Sequence, residues 1–114
     1  MLEASEKVLD RHSLKMRVEL LRKVGKRLVF TNGCFDLLHI GHVRYLQAAR
    51  GYGDHLAVGV NSDSSVRQIK GPNRPIVPEV QRSEVVAALA CVDWVTVFDE
   101  PDPSALITLL VPDV

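Results

Sequence analysis

Leu28-Val29-Phe30 is a short, apolar, β-rich run. Gly33 follows it almost at once, and then apolar residues recur at helical spacing. This order of strand, glycine turn and helix constrains the fold more than any other feature of the chain. Val43, Tyr45, Leu46 and Ala49 continue the helical pattern from Gly41 to about Tyr52, where Gly51 and Gly53 end it. A second buried strand is expected over Asp54 to Val60. Two strands joined by a helix pair in parallel, through a right-handed crossover.

Upstream, Leu14, Val18, Leu21 and Val24 predict an amphipathic helix that ends near Gly25 and packs outside the first strand. Downstream, Asn61-Ser62-Asp63 opens a polar turn that can cap a short helix. Lys70 to Pro78 holds three prolines and one glycine and reads as a loop. A helix from about Pro78 to Ala90 follows, with Val85, Val86 and Leu89 inward, then a third strand over Asp93 to Phe98. A last helix runs to Leu110, and Val111 to Val114 enters a fourth parallel strand. The fold class is α/β, a Rossmann-like doubly wound parallel sheet in a single domain. The dinucleotide fingerprint is absent, because Gly51-Tyr52-Gly53 precedes a strand instead of following one.

The 114 residues suffice for one core. Fourteen basic and fourteen acidic side chains cancel, which argues against nucleic acid as a partner, since that binding needs a basic surface to release counterions. Cys34 and Cys91 belong to no CxxC pair, so neither a disulfide framework nor a zinc site is expected, and no other metal site is indicated. The acidic N-terminus lacks the features of a secretory signal, and no apolar run approaches membrane-spanning length; a cytoplasmic protein with no membrane association is expected.

Within the glycine turn lies Thr31-Asn32-Gly33-Cys34-Phe35-Asp36-Leu37-Leu38-His39-Ile40-Gly41-His42. Two histidines three residues apart at a helix start suit phosphate chemistry. The first helical turn leaves N–H groups unpaired at the positive end of the macrodipole. An imidazole beside it donates a hydrogen bond to a phosphoryl oxygen and, when protonated, offsets charge. Gly41 is expected to let backbone approach the ligand closely, and Asp36 to cap the turn by accepting N–H bonds.

This segment resembles the HxGH-motif nucleotidyltransferase superfamily, in its cytidylyltransferase-like branch, and most of all the heptose 1-phosphate adenylyltransferases. Gly59-Val60-Asn61-Ser62-Asp63, Lys70-Gly71-Pro72-Asn73-Arg74-Pro75, and Arg82 with Ala90-Cys91-Val92-Asp93-Trp94 extend the resemblance. It runs from about Lys26 to the last residue, dividing the chain into an N-terminal helical segment, 1–25, and a nucleotidyltransferase domain, 26–114. That domain lacks the Gly-Asp-rich turn and Ser-Thr-rich motif that close the family's pattern, so an apparent C-terminal truncation is expected.

The resemblance implies transfer of AMP from ATP to heptose 1-phosphate with release of pyrophosphate, in ADP-heptose synthesis for the lipopolysaccharide core, with Mg2+ accompanying the triphosphate. It implies catalytic roles for His39, His42 and Lys70, and nucleotide contacts from Asn32, Gly33, Cys34, Phe35 and Gly41 as well. Asp63, Arg44 and Arg82 are expected at the acceptor, although for Arg44 an exposed helical position and for Arg82 a surface salt bridge are comparable readings. A homodimer and a sugar-kinase partner or fused kinase domain are further expectations. Two alternatives stay open: a cytidylyltransferase acting on glycerol 3-phosphate or a similar alcohol phosphate, and a nucleotide-binding or assembly module without turnover.

Overall fold

The computed structural model describes residues 2–114. Strands β1 (Leu28–Gly33), β2 (His55–Asn61) and β3 (Trp94–Phe98) form a parallel sheet in the order β1-β2-β3. Leu28 pairs with His55 and Ala57 with Trp94. Helices α1 (Arg11–Lys23), α2 (Ile40–Arg50), α3 (Asp63–Lys70), α4 (Glu79–Ala87) and α5 (Ser104–Leu110) complete the described elements, with a short 3-10 turn at Ala4–Lys7.

Because successive strand residues point to opposite faces, the sheet divides its apolar residues between two cores. Val29, Leu56, Val58, Val60 and Val95 pack with Leu46 of α2 and with Val86 and Ala87 of α4. Leu28, Ala57 and Phe98 pack with Leu14 and Val18 of α1 and with Leu106 and Leu110 of α5. Gly59 belongs to the second face, where a β-carbon would come within 2.9 Å of the Phe30 ring and 3.2 Å of Phe98. Leu46 is the one buried residue of α2, and its burial contributes about 1.5–3 kcal/mol to holding that helix on the sheet.

The two-faced arrangement follows from right-handed crossovers. Stepping from β1 to β2 and then to β3 carries α2 and α4 over one face. After β3 the chain returns beyond β1, so α5 covers the other. Asp113 N donates to Leu28 O at 3.0 Å and Phe30 N to Val114 O at 3.2 Å, which sets the last residues alongside the free side of β1. Residues 111–114 form no fourth strand, but the chain turns back past β1 to reach its free side, so the carboxyl end of β1 resembles the switch points where open α/β sheets bind ligands. The outer edge of β3 is covered by the N-terminal segment: Leu9 N donates to Val95 O at 2.8 Å, and Lys7 Nζ donates to Val92 O at 3.0 Å.

Several local expectations are revised. Val24 lies beyond α1 and Val85 points outward, at 69% and 49% exposure, because each helix offers only a narrow stripe to the sheet. Tyr45 is likewise on the solvent side of α2, with its hydroxyl 2.6 Å from Thr31 Oγ1. Lys70 is the last residue of α3 and not a loop residue, while α4 stops at Ala87, short of Ala90. No helix among the described residues is long and apolar enough to cross a membrane.

Candidate active site

The start of α2 is built by its two histidines. His39 is the N-cap in extended conformation, and its Nδ1 accepts from Gly41 N at 3.0 Å. His42 reaches back, its Nδ1 accepting from His39 N at 3.2 Å. This is a reciprocal capping box made from imidazoles in place of the usual hydroxyl and carboxylate. An Nδ1 that accepts carries no proton, so each neutral ring holds its hydrogen on Nε2. The pair thus offers two Nε2–H donors, with ring centroids 4.1 Å apart.

Gly41 serves this cap. A β-carbon there would lie 2.7 Å from His39 Cε1 and 2.9 Å from Nδ1, so the space that glycine leaves is occupied by the His39 ring and not by an approaching ligand. Phe35 adopts φ +48°, a left-handed conformation that is rare for a bulky residue and concentrates at ligand-binding turns. Its ring meets the His42 ring edge-on, with centroids 5.4 Å apart, and fills the space that Gly33 leaves open. Burial first, and then the positive charges of His39 and Lys70, hold the His42 pKa below the ordinary histidine value. The direction of this shift favours the neutral His42 ring, whose Nε2–H is the group available to donate.

A cavity of about 460 Å³ opens at this point. The turn after β1 supplies Asn32, Gly33, Cys34 and Phe35 to its wall, and α2 supplies His39, His42 and Tyr45. Lys70 and Arg74 also line it, with Asp36 and Leu37 completing the wall. The fold thus gathers seven of the residues selected from sequence: Asn32, Gly33, Cys34, Phe35, His39, His42 and Lys70. Asp36 and Arg74 were not selected as ligand contacts. Arg74 had a legible signal, a second cation four residues after Lys70 in the same proline-rich stretch.

Asp36 does accept backbone N–H bonds, but from the loop and not from its own turn. Its carboxylate receives Ile76 N and Val77 N, each at 2.9 Å, and Arg74 Nη1 at 3.0 Å. Burial pushes the Asp36 pKa up, yet the donors from Val77, Ile76 and Arg74 outweigh it and hold the carboxyl at about 2.

The three residues expected at the acceptor lie outside the cavity wall. Arg82 is 1% exposed and is neither at the cavity nor in a surface salt bridge. Its Nε donates to Val77 O at 2.7 Å, Nη1 to Cys34 O at 2.6 Å and Asn61 O at 2.8 Å, and Nη2 to Asp63 Oδ1 at 2.7 Å. A single guanidinium thereby ties the loop, the β1 turn, the end of β2 and the start of α3. Asp63 is occupied by Arg82 and by Glu79 N at 2.9 Å, so it too braces the scaffold outside the cavity wall. Arg44 is exposed on α2 and lies apart from the cavity.

Residues 30–114 match the cytidylyltransferase-like family. The bifunctional protein HldE of Syntrophotalea carbinolica is 54% identical over 99% of this chain, and that of Geotalea uraniireducens is 55% identical over 98%. The chain spans 23% and 22% of those proteins' own lengths. A crystal structure of the lipopolysaccharide core biosynthesis protein from Thermoplasma volcanium superposes with a TM-score of 0.71 at 33% identity, covering 78% of this chain and 71% of that one. With the family match spanning most of the chain and including the histidine pair, the chain belongs to the cytidylyltransferase-like family of nucleotidyltransferases.

Proposed function

We propose that this domain transfers the AMP group of ATP to a sugar 1-phosphate, heptose 1-phosphate, with release of pyrophosphate. The observation that carries this reading is the pair of Nε2–H donors fixed by the His39–His42 capping box, on residues that line one cavity together with Lys70. An oxygen of the acceptor phosphate attacks the α-phosphorus. One P–O bond forms, the bond to the β-phosphate bridging oxygen breaks, and that oxygen leaves on pyrophosphate. No enzyme nucleophile takes part, so the protein's contribution is to align two anions and to donate hydrogen bonds where charge builds up. His39 and His42 would donate to phosphoryl oxygens and Lys70 would offset charge on the leaving group. Backbone groups of Asn32, Gly33, Cys34 and Phe35 would meet the nucleotide.

The one carboxylate on the cavity wall, Asp36, is held by Arg74 and two backbone N–H groups. That donor set suits a magnesium ion that arrives on the triphosphate, held by phosphate oxygens and water. Similarity to proteins named bifunctional, of which this chain spans under a quarter, supports a second activity on a shared polypeptide. A sugar kinase is the activity the sequence resemblance suggests. The lipopolysaccharide core assignment of the Thermoplasma volcanium protein supports a sugar acceptor.

Calorimetric titration with magnesium ATP and magnesium CTP, paired with a pyrophosphate assay containing heptose 1-phosphate or glycerol 3-phosphate, tests the reading. ATP-selective binding with release in the heptose samples is expected. Selective binding of CTP with release in the glycerol samples would replace it with the cytidylyltransferase alternative, and nucleotide binding without release would leave a binding module. His39→Ala and His42→Ala should each lower turnover about 10²- to 10³-fold with the circular dichroism of the fold retained, as expected for the loss of one transition-state donor. Turnover near wild type in either variant would remove the assigned role.

A further inference from the structure

The loop after α3 has no regular structure, and Gly71 at φ +100° with Pro72, Pro75 and Pro78 excludes it from helix or sheet. Its position is held by contacts from outside. Ile76 N and Val77 N bond to the Asp36 carboxylate, and Val77 O accepts from Arg82. Those bonds latch the loop without any help from Arg74. Yet Arg74 also spends one donor on Asp36, Nη1 to Oδ2 at 3.0 Å, with its side chain 41% exposed and on the cavity wall.

A guanidinium carries five N–H donors in a rigid planar fork. Only one of Arg74's is engaged. Arg74 lines the same cavity as His39, His42 and Lys70. An arginine whose role ended at the ion pair would have no need of that placement. A guanidinium anchored through one nitrogen, with its other N–H groups making no hydrogen bond to the protein, keeps donors available for a phosphate group.

We infer that Arg74 is a phosphate-binding residue of this cavity, and that Asp36 is its positioning residue, orienting the guanidinium toward the ligand. The inference rests on the phosphate-site reading of the cavity but not on turnover, nucleotide choice or acceptor identity. The phosphate could belong to the nucleotide or to the acceptor, and the two sources are separable by experiment.

The test measures binding of inorganic pyrophosphate, magnesium ATP and a sugar 1-phosphate to the 114-residue chain and to Arg74→Ala, Arg74→Lys, Asp36→Asn and the Asp36→Asn/Arg74→Ala double variant. Removing one charge-assisted bond should weaken at least one ligand about tenfold in Arg74→Ala, with Arg74→Lys intermediate because it keeps the charge and loses the fork. Weakening of pyrophosphate and ATP assigns Arg74 to the nucleotide, and weakening of the sugar phosphate assigns it to the acceptor. Asp36→Asn should weaken the same ligand in the wild-type background and have no further effect once Arg74 is alanine. Unchanged affinities in folded Arg74→Ala would overturn the inference while leaving the proposed reaction standing. Equal losses from Asp36→Asn in both backgrounds would overturn the positioning role. Arg74-dependent binding without turnover would instead count against the proposed reaction alone.

Discussion

Replacing Arg82 with methionine isolates the energetic weight of the brace beneath the site. Methionine keeps most of the volume and removes every donor. Val77 O, Cys34 O and Asn61 O then lose a charged partner, and Asp63 loses its counter-charge. Each buried acceptor left unpaired costs about 1–3 kcal/mol. The Asp63 side chain is 29% exposed, so solvent recovers part of its loss, and water entering the vacated space recovers part of the rest. A net loss of about 4 kcal/mol is reasonable, within the range of about 3–5 kcal/mol for breaking a buried charged pair from one side. Against the roughly 5–15 kcal/mol of an ordinary domain this is a large fraction. It corresponds to about 15 °C in Tm at about 4 °C per kcal/mol for a chain of this size. Trp94 is the single tryptophan, so its fluorescence in a urea titration reports unfolding directly. Arg82→Met within about 1 kcal/mol of wild type, at unchanged urea dependence, would refute the argument that these hydrogen bonds are a net stabilising brace.

Gly41→Ala sets a β-carbon 2.7 Å from His39 Cε1, so turnover should fall about tenfold or more while Tm drops by only a few degrees; equal activity would show that the His39 ring is not fixed by its cap. Acidification should destabilise the fold between about pH 4 and pH 2, because Asp36 is held at about 2, below its unfolded value of 3.8, so its contribution is complete above the unfolded value and lost as pH falls through the folded one. Urea midpoints measured across that window should fall less steeply in Asp36→Asn. His42 has its pKa lowered by burial and by neighbouring charge, so the resonance of its ring carbon should titrate at lower pH than that of a free histidine, and titration at a higher pH would contradict the neutral donor assigned to it.

Much of the fold is legible in local pattern. The unbroken apolar run Leu56-Ala57-Val58-Gly59-Val60 marks a buried strand, and its side chains divide between the two cores. The order of strands and helices implies parallel pairing, and His39-Ile40-Gly41-His42 marks a helix start suited to phosphate. Less legible was which apolar residues of a helix meet the sheet. Val24 and Val85 satisfy the helical period as well as Val18 and Val86 do, and their exposure depends on where α1 ends and how α4 is rotated.

The sequence alone determined the element order, the parallel sheet and the histidine pair, because each rests on residues within a few positions of one another. The tertiary structure alone decided what the charged residues do. Arg82 bonds to Cys34 O, 48 positions away, and Asp36 to Val77 N, 41 positions away. No spacing rule reaches that far along a chain. A buried arginine finds its partners only where the folded backbone leaves carbonyls unpaired, and a carboxylate gathers a loop only after the sheet has brought the loop beside it.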